Sequence, residues 1–215
     1  MSKSLMIIGA GPGIGQAVAR RFGQEGWNIV LGGRNEERLR GLAAELAGEG
    51  IAAHAVPVDA TDPIALRSAL AGADRITGGL SAVHFNAAVV RQQDLFTMTD
   101  AEVEQDLAIN VLAGLHTIRA AVERFGDRGG TILVTGGGLA TAPHEAYASL
   151  GVGKAALRNI VQALAEPLGA RGMRIAIASV ATLVNPGSAE ADGVAHTLWK
   201  LATDKAAPWE AAYPV

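Results

Sequence analysis

The chain has 215 residues, a formal net charge of −3 and 49% hydrophobic residues, enough for one domain with a full core. It has no cysteine, which excludes disulfides, thiolate metal sites and cysteine nucleophiles, and its five scattered histidines offer no metal-ligand pair. No basic cluster favours nucleic acid, no apolar run reaches the ~18 residues of a membrane span, and nothing before the first strand reads as a signal peptide. The expectation is a cytoplasmic protein with neither nucleic acid nor membrane as partner.

The first apolar run, 5–8, predicts a buried strand that breaks into Gly9, Ala10, Gly11, Pro12, Gly13, Ile14 and Gly15, after which 16–22 reads as a helix. Strand, glycine turn and helix in this order make a dinucleotide site: glycines let backbone N–H groups approach a pyrophosphate, and the helix N-terminus adds its positive dipole. Gly9, Gly13 and Gly15 follow a G-x3-G-x-G rhythm, with Ile14 where a G-x-G-x-x-G loop has its third glycine. A glycine-rich turn without a ligand is the competing reading.

Downstream, 28–31 reads as a strand and 36–46 as a helix with Leu39, Leu42 and Leu46 on one stripe. A strand over 52–56 follows, and Asp62-Pro63 opens a helix as cap and first residue. Then come a strand over 80–85, a long helix over 100–125, a strand over 131–135, a long helix over 147–170, a sixth strand over 174–179 and a closing helix over 192–202. Residues 209–213 add a short edge strand. The strands are rich in Val, Ile and Ala without polar alternation, as parallel strands covered on both faces are. The expected fold is α/β: a doubly wound, Rossmann-type, mostly parallel sheet with helices on both faces, one domain over 1–215.

The second strand ends in Gly32-Gly33-Arg34. Gly33 stands where an acid would bind a ribose 2′-hydroxyl, and Arg34 is placed to pair a 2′-phosphate through its planar fork. NADP(H) is therefore expected over NAD(H), unless Arg34 merely opens the next helix.

Five ordered motifs resemble the short-chain dehydrogenase/reductase family across essentially the whole chain. Gly9, Gly13 and Gly15 match its TGxxxGxG motif, with Ile8 in place of the threonine. Val58 to Asp62 is similar to the adenine-contacting segment after the third strand, which implies cofactor contacts for Asp59 and Ala60. Phe85-Asn86-Ala87-Ala88 resembles the family's NNAG segment and implies the same for Asn86. Ile109-Asn110-Val111 resembles the helix asparagine that organises the active site. Gly153-Lys154-Ala155-Ala156-Leu157 resembles the stretch carrying the catalytic lysine, which in the family also hydrogen-bonds the nicotinamide ribose.

Three departures stand against this. The family's tyrosine, four residues before the lysine, is Leu150 here, and its serine is Gly137. Neither can protonate or hydrogen-bond a substrate carbonyl. After the sixth strand, 179–185 replaces the family's Pro-Gly and long covering loop; Thr182 within it is assigned to the cofactor, and the short segment implies an open pocket.

Tyr147 and His144 are the candidate substitutes for the missing acid, each against a plainer reading: Tyr147 lining the pocket mouth, His144 on a surface loop. Asn110 is mildly unfavourable inside a helix, which points to a helix irregularity beside the site. The resulting expectation is a divergent NADP(H)-dependent oxidoreductase reducing a carbonyl or oxidising an alcohol, with Lys154, Asn110 and Tyr147 as its catalytic set. The alternative is an inactive NADP(H)-binding protein of the same fold, serving as sensor or subunit partner. The two long helices are apolar on more than one stripe, which together with the resemblance implies a homodimer or homotetramer.

Overall fold

The computed structural model describes residues 3–214. Seven strands form one sheet, all parallel, in the order β3-β2-β1-β4-β5-β6-β7. They are β1 (Ser4–Ile8), β2 (Asn28–Gly33), β3 (Ala53–Pro57), β4 (Ala82–Phe85), β5 (Gly130–Thr135), β6 (Met173–Val180) and β7 (Glu210–Tyr213). Every strand points the same way, so all the segments that leave their carboxyl ends collect along one edge. The order reverses between β1 and β4, which opens a crevice there.

The helices are α1 (Ile14–Gln24), α2 (Glu36–Gly48), α3 (Pro63–Thr77), α4 (Asp100–Leu107), α5 (Ala113–Phe125), α6 (Ala148–Gly169) and α7 (Ala189–Thr203). Alternate strand residues feed two cores. Leu5 and Ile7 of β1 pack with α1, α2 and α7, while Met6 and Ile8 pack with α3, α5 and α6. This two-sided burial explains the continuous apolar strands.

The expected elements form with three changes. The helix expected over 100–125 is interrupted at Ala108–Leu112 by a π-helical turn with Asn110 at its centre, the irregularity its composition pointed to. The helix expected from residue 147 begins at Ala148, because Tyr147 has φ −133° and ψ 30°. The closing helix starts earlier than expected, where Ser188 accepts a hydrogen bond from the Ala191 N–H. Asp62 caps α3 as expected, accepting from the Ile64 and Ala65 N–H groups at 2.8 and 3.1 Å. Among the described residues no helix is long and apolar enough to cross a membrane.

Candidate functional site

A cleft of about 390 Å³ lies along the carboxyl ends of β1 to β4, within the usual range for small-molecule sites. Gly9, Gly11, Arg34, Asp59, Ala60 and Asn86 line it, as the sequence implied. Arg38 lines it too and went unanticipated, although it lies one helical turn beyond Arg34.

The glycines divide into two kinds. Gly9 has φ +94°, and a Cβ there would sit 2.5 Å from the Ala87 nitrogen. A Cβ on Gly15 would stand 2.8 Å from the Gly9 carbonyl oxygen. These two glycines let β1, α1 and the β4 exit touch. A Cβ on Gly11 or Gly13 meets nothing within 4 Å, so there the missing side chain leaves space for something else. Among the described residues the Ile14 and Gly15 N–H groups, first in α1, have no backbone acceptor. Open space beside free helix N–H groups suits a pyrophosphate, and the residues present fit a dinucleotide. Gly13, Ile14 and Gly15 continue the turn beyond Gly11 and are not among the residues lining the cleft.

At the far end, Gly33 would tolerate a side chain, since its Cβ would make only ordinary contact with Leu39 at 3.6 Å. The absence of an acid there is thus no packing necessity. Arg34 is exposed, and its charge helps hold the Asp59 carboxyl below its ordinary range, after the larger effect of hydrogen bonds from the Thr61 backbone and side chain.

Asn86 joins the cleft to the second half of the site. Its amide donates to the Gly9 carbonyl at 2.9 Å, and its Oδ1 accepts from the Thr135 hydroxyl at 2.8 Å. The Thr135 carbonyl accepts from Lys154 Nζ at 3.1 Å. Thr135 carries no local signal in the sequence, because its partners lie on a neighbouring strand exit and on α6. Burial lowers the Lys154 ammonium from its ordinary value to about 8.

Lys154 also explains how the chain uses its departures. A Cβ on Gly137 would lie 3.1–3.3 Å from Lys154 Cγ, Cδ and Cε, so the lysine stem lies against the position the serine would hold. Leu150 is buried at 6% exposure. No hydroxyl occupies either position.

The structure places the remaining predicted residues as follows. Asn110 is buried, and both ends of its side chain grip Val89, accepting from its N–H at 2.9 Å and donating to its carbonyl at 3.0 Å. These two bonds fix the loop after β4 against the π-helical turn. Tyr147 is the residue just before α6 rather than its first residue. Its ring stands edge-on to His144, with centroids 5.7 Å apart. Thr182 is exposed in the segment after β6, outside the cleft.

A further cluster went unanticipated: buried Asp106 accepts from Arg91 Nε at 3.2 Å and from Ser149 Oγ at 2.7 Å, while Arg91 also donates to Glu102 at 2.9 Å. It ties α4, the loop after β4 and the start of α6 into one support beneath the site.

Residues 3–195 match the family described as short chain dehydrogenase. The 2,3-dihydro-2,3-dihydroxybenzoate dehydrogenase of Bacillus subtilis (strain 168) is 29% identical over 198 residues, covering 92% of this chain and 73% of the relative. A short chain dehydrogenase from Mycobacterium smegmatis superposes with a TM-score of 0.91 at 27% identity, over 98% of this chain and 91% of that one. A metagenomic short-chain oxidoreductase solved in complex with NADP gives 0.88 at 25% identity, over 99% and 97%. With the sheet order, the glycine turn and the β4 and α6 motifs all in place, the chain belongs to the short-chain dehydrogenase family.

Proposed function

We propose that the protein is an NADP(H)-dependent oxidoreductase of a small carbonyl or alcohol, in which Lys154 is the proton-handling group. The carrying observation is the continuous link from the cleft to the lysine: Asn86 lines the cleft and meets Thr135, whose carbonyl holds Lys154. Bound NADPH supplies a hydride. Arg34 and Arg38 hold the 2′-phosphate, supported by the NADP complex of the metagenomic relative. The Ile14 and Gly15 N–H groups hold the pyrophosphate, and Asp59 and Ala60 border the adenine. Lys154, near 8, hydrogen-bonds the nicotinamide ribose and exchanges a proton with the substrate oxygen directly or through water.

The test is NADPH consumption against a panel of aldehydes and ketones. Lys154→Met abolishes it, whereas His144→Ala and Tyr147→Phe leave it intact; loss in Tyr147→Phe with cofactor affinity kept returns the acid to Tyr147. Absence of turnover with every substrate, with NADPH bound, supports the second reading, a non-catalytic NADP(H)-binding protein. Buried, apolar Leu150 and Gly137 favour that reading.

The protein works as a homodimer or homotetramer through α4, α5 and α6. Leu112 at 49% and Val152 at 55% exposure leave apolar surface on those helices and their junction. A 22.0 kDa particle in light scattering at micromolar concentration refutes this.

A further inference from the structure

His84, on β4, is fully buried and is not accounted for by the cofactor or the lysine. Its Nε2 lies 2.8 Å from Thr135 Oγ1. The protons in this cluster can be assigned from the one group whose role is fixed. The Gly9 carbonyl only accepts, so the Asn86 atom facing it at 2.9 Å is the amide nitrogen. Asn86 Oδ1 then faces Thr135, and being an acceptor it takes the single hydroxyl proton. Thr135 has no second proton to give. His84 Nε2 must therefore carry its own and donate it.

The opposite tautomer fails twice. Its bare Nε2 would face a hydroxyl with no proton for it, and its Nδ1–H would be a buried donor without an acceptor among the described residues. Burial also pulls the ring down to about 3, so it stays neutral through the physiological range.

We propose that His84 and Thr135 are positioning residues of the dinucleotide site: His84, held as its Nε2–H tautomer, aims the Thr135 hydroxyl at Asn86, which thereby presents its amide to the Gly9 carbonyl. Thr135 works on both faces of the sheet. Its hydroxyl serves the face covered by α1 and α7, while its carbonyl receives Lys154 from α6 on the other. One residue thus ties the glycine turn to the lysine. Gly9 needs the tie, because among the described residues its carbonyl otherwise accepts only the Gly11 N–H at 2.9 Å, inside the turn itself.

This inference rests on the dinucleotide reading above, and two measurements separate the two. In a fluorescence titration with NADPH, Thr135→Val weakens binding about tenfold, roughly the effect of one buried hydrogen-bond partner left unmade, while Thr135→Ser stays within about twofold. In nitrogen-edited NMR of the unsubstituted chain, the His84 ring shows a protonated Nε2 and an unprotonated Nδ1. Wild-type affinity in folded Thr135→Val, or equal weakening in Thr135→Ser, overturns the positioning role. A proton on Nδ1 overturns the relay itself and needs no variant to fold. Failure of the unsubstituted chain to bind NADPH or NADH overturns the function reading, and the tautomer then decides the relay alone.

Discussion

The two halves of the site differ in what they retain. From β1 to β3 the chain keeps the glycine turn, the free N–H groups of α1, two arginines and the capped Asp59 loop. From β4 to β6 it keeps Lys154 and its hydrogen bond to Thr135 but has Gly137 and Leu150 where the family resemblance implies hydroxyls. On the proposed reading, the half that binds the cofactor is built largely from backbone geometry, which tolerates little change. The half that would react depends on side chains, which can be exchanged without disturbing the sheet. Leu150 packs into the interior and Gly137 leaves room for the Lys154 stem, so the fold accommodates both residues.

The largest expected effect tests that contrast directly. The double change Gly137→Ser with Leu150→Tyr raises carbonyl reduction about 10²–10⁴-fold, the usual contribution of a positioned general acid, read as NADPH consumption. The new Cβ at 137 requires the flexible lysine stem to shift by a few tenths of an ångström, which it can do. A native chain already turning over at the rate of the double variant breaks the contrast.

Next in size is cofactor choice. Arg34→Ala lowers NADPH affinity roughly 10–100-fold, the effect of a lost charge-assisted hydrogen bond, and leaves NADH nearly unchanged. Gly33→Asp, which the space beside Leu39 accommodates, moves the preference toward NADH. Parallel titrations with both dinucleotides check this, and equal affinities in the native chain remove the premise.

The glycine division predicts a stability difference. Gly9→Ala destabilises the fold by about 2 kcal/mol or more through its φ and its approach to Ala87, whereas Gly11→Ala unfolds at nearly the native temperature. Thermal unfolding of both variants separates the structural glycine from the one that leaves room for a ligand.

The smallest effect is on pH dependence. Lys154 binds its proton less tightly in the folded chain, near 8, than the ordinary value of 10.5. The unfolded chain therefore holds more protons between those values, and stability gains from this group as pH rises from about 8 to 10.5. His84, lowered to about 3 from 6.5, gives the same sign lower down: its contribution is present above about 6.5 and is lost as pH falls toward 3. Denaturant unfolding across pH, with Lys154→Met and His84→Gln each losing its own segment of the slope, checks both.

Much of the cleft's lining was legible because its signals are local. Gly9 through Gly15, the Asp62-Pro63 helix start and Gly33-Arg34 each depend on residues a few positions apart. Asn110 was legible as an irregularity because asparagine disfavours helix interiors, but its grip on Val89 was not, since the loop after β4 carries no periodic pattern. Tyr147 was misplaced because helix onset is set by φ and ψ at a single residue, which no hydrophobic stripe records.

By itself the sequence determined the alternation of strands and helices, the parallel sheet and the glycine turn, because periodicity and turn chemistry act over a few residues. Only the tertiary structure decided which polar atoms meet. His84, Asn86 and Thr135 come together through the register that pairs β4 with β5, in which Phe85 lies beside Val134. Lys154 reaches the Thr135 carbonyl because α6 packs against the turn at Gly138–Ala140 that follows β5, and Gly137 leaves its stem room. Hydrogen bonds fall off within a few tenths of an ångström, so such a network exists only once packing has fixed the strands that carry it.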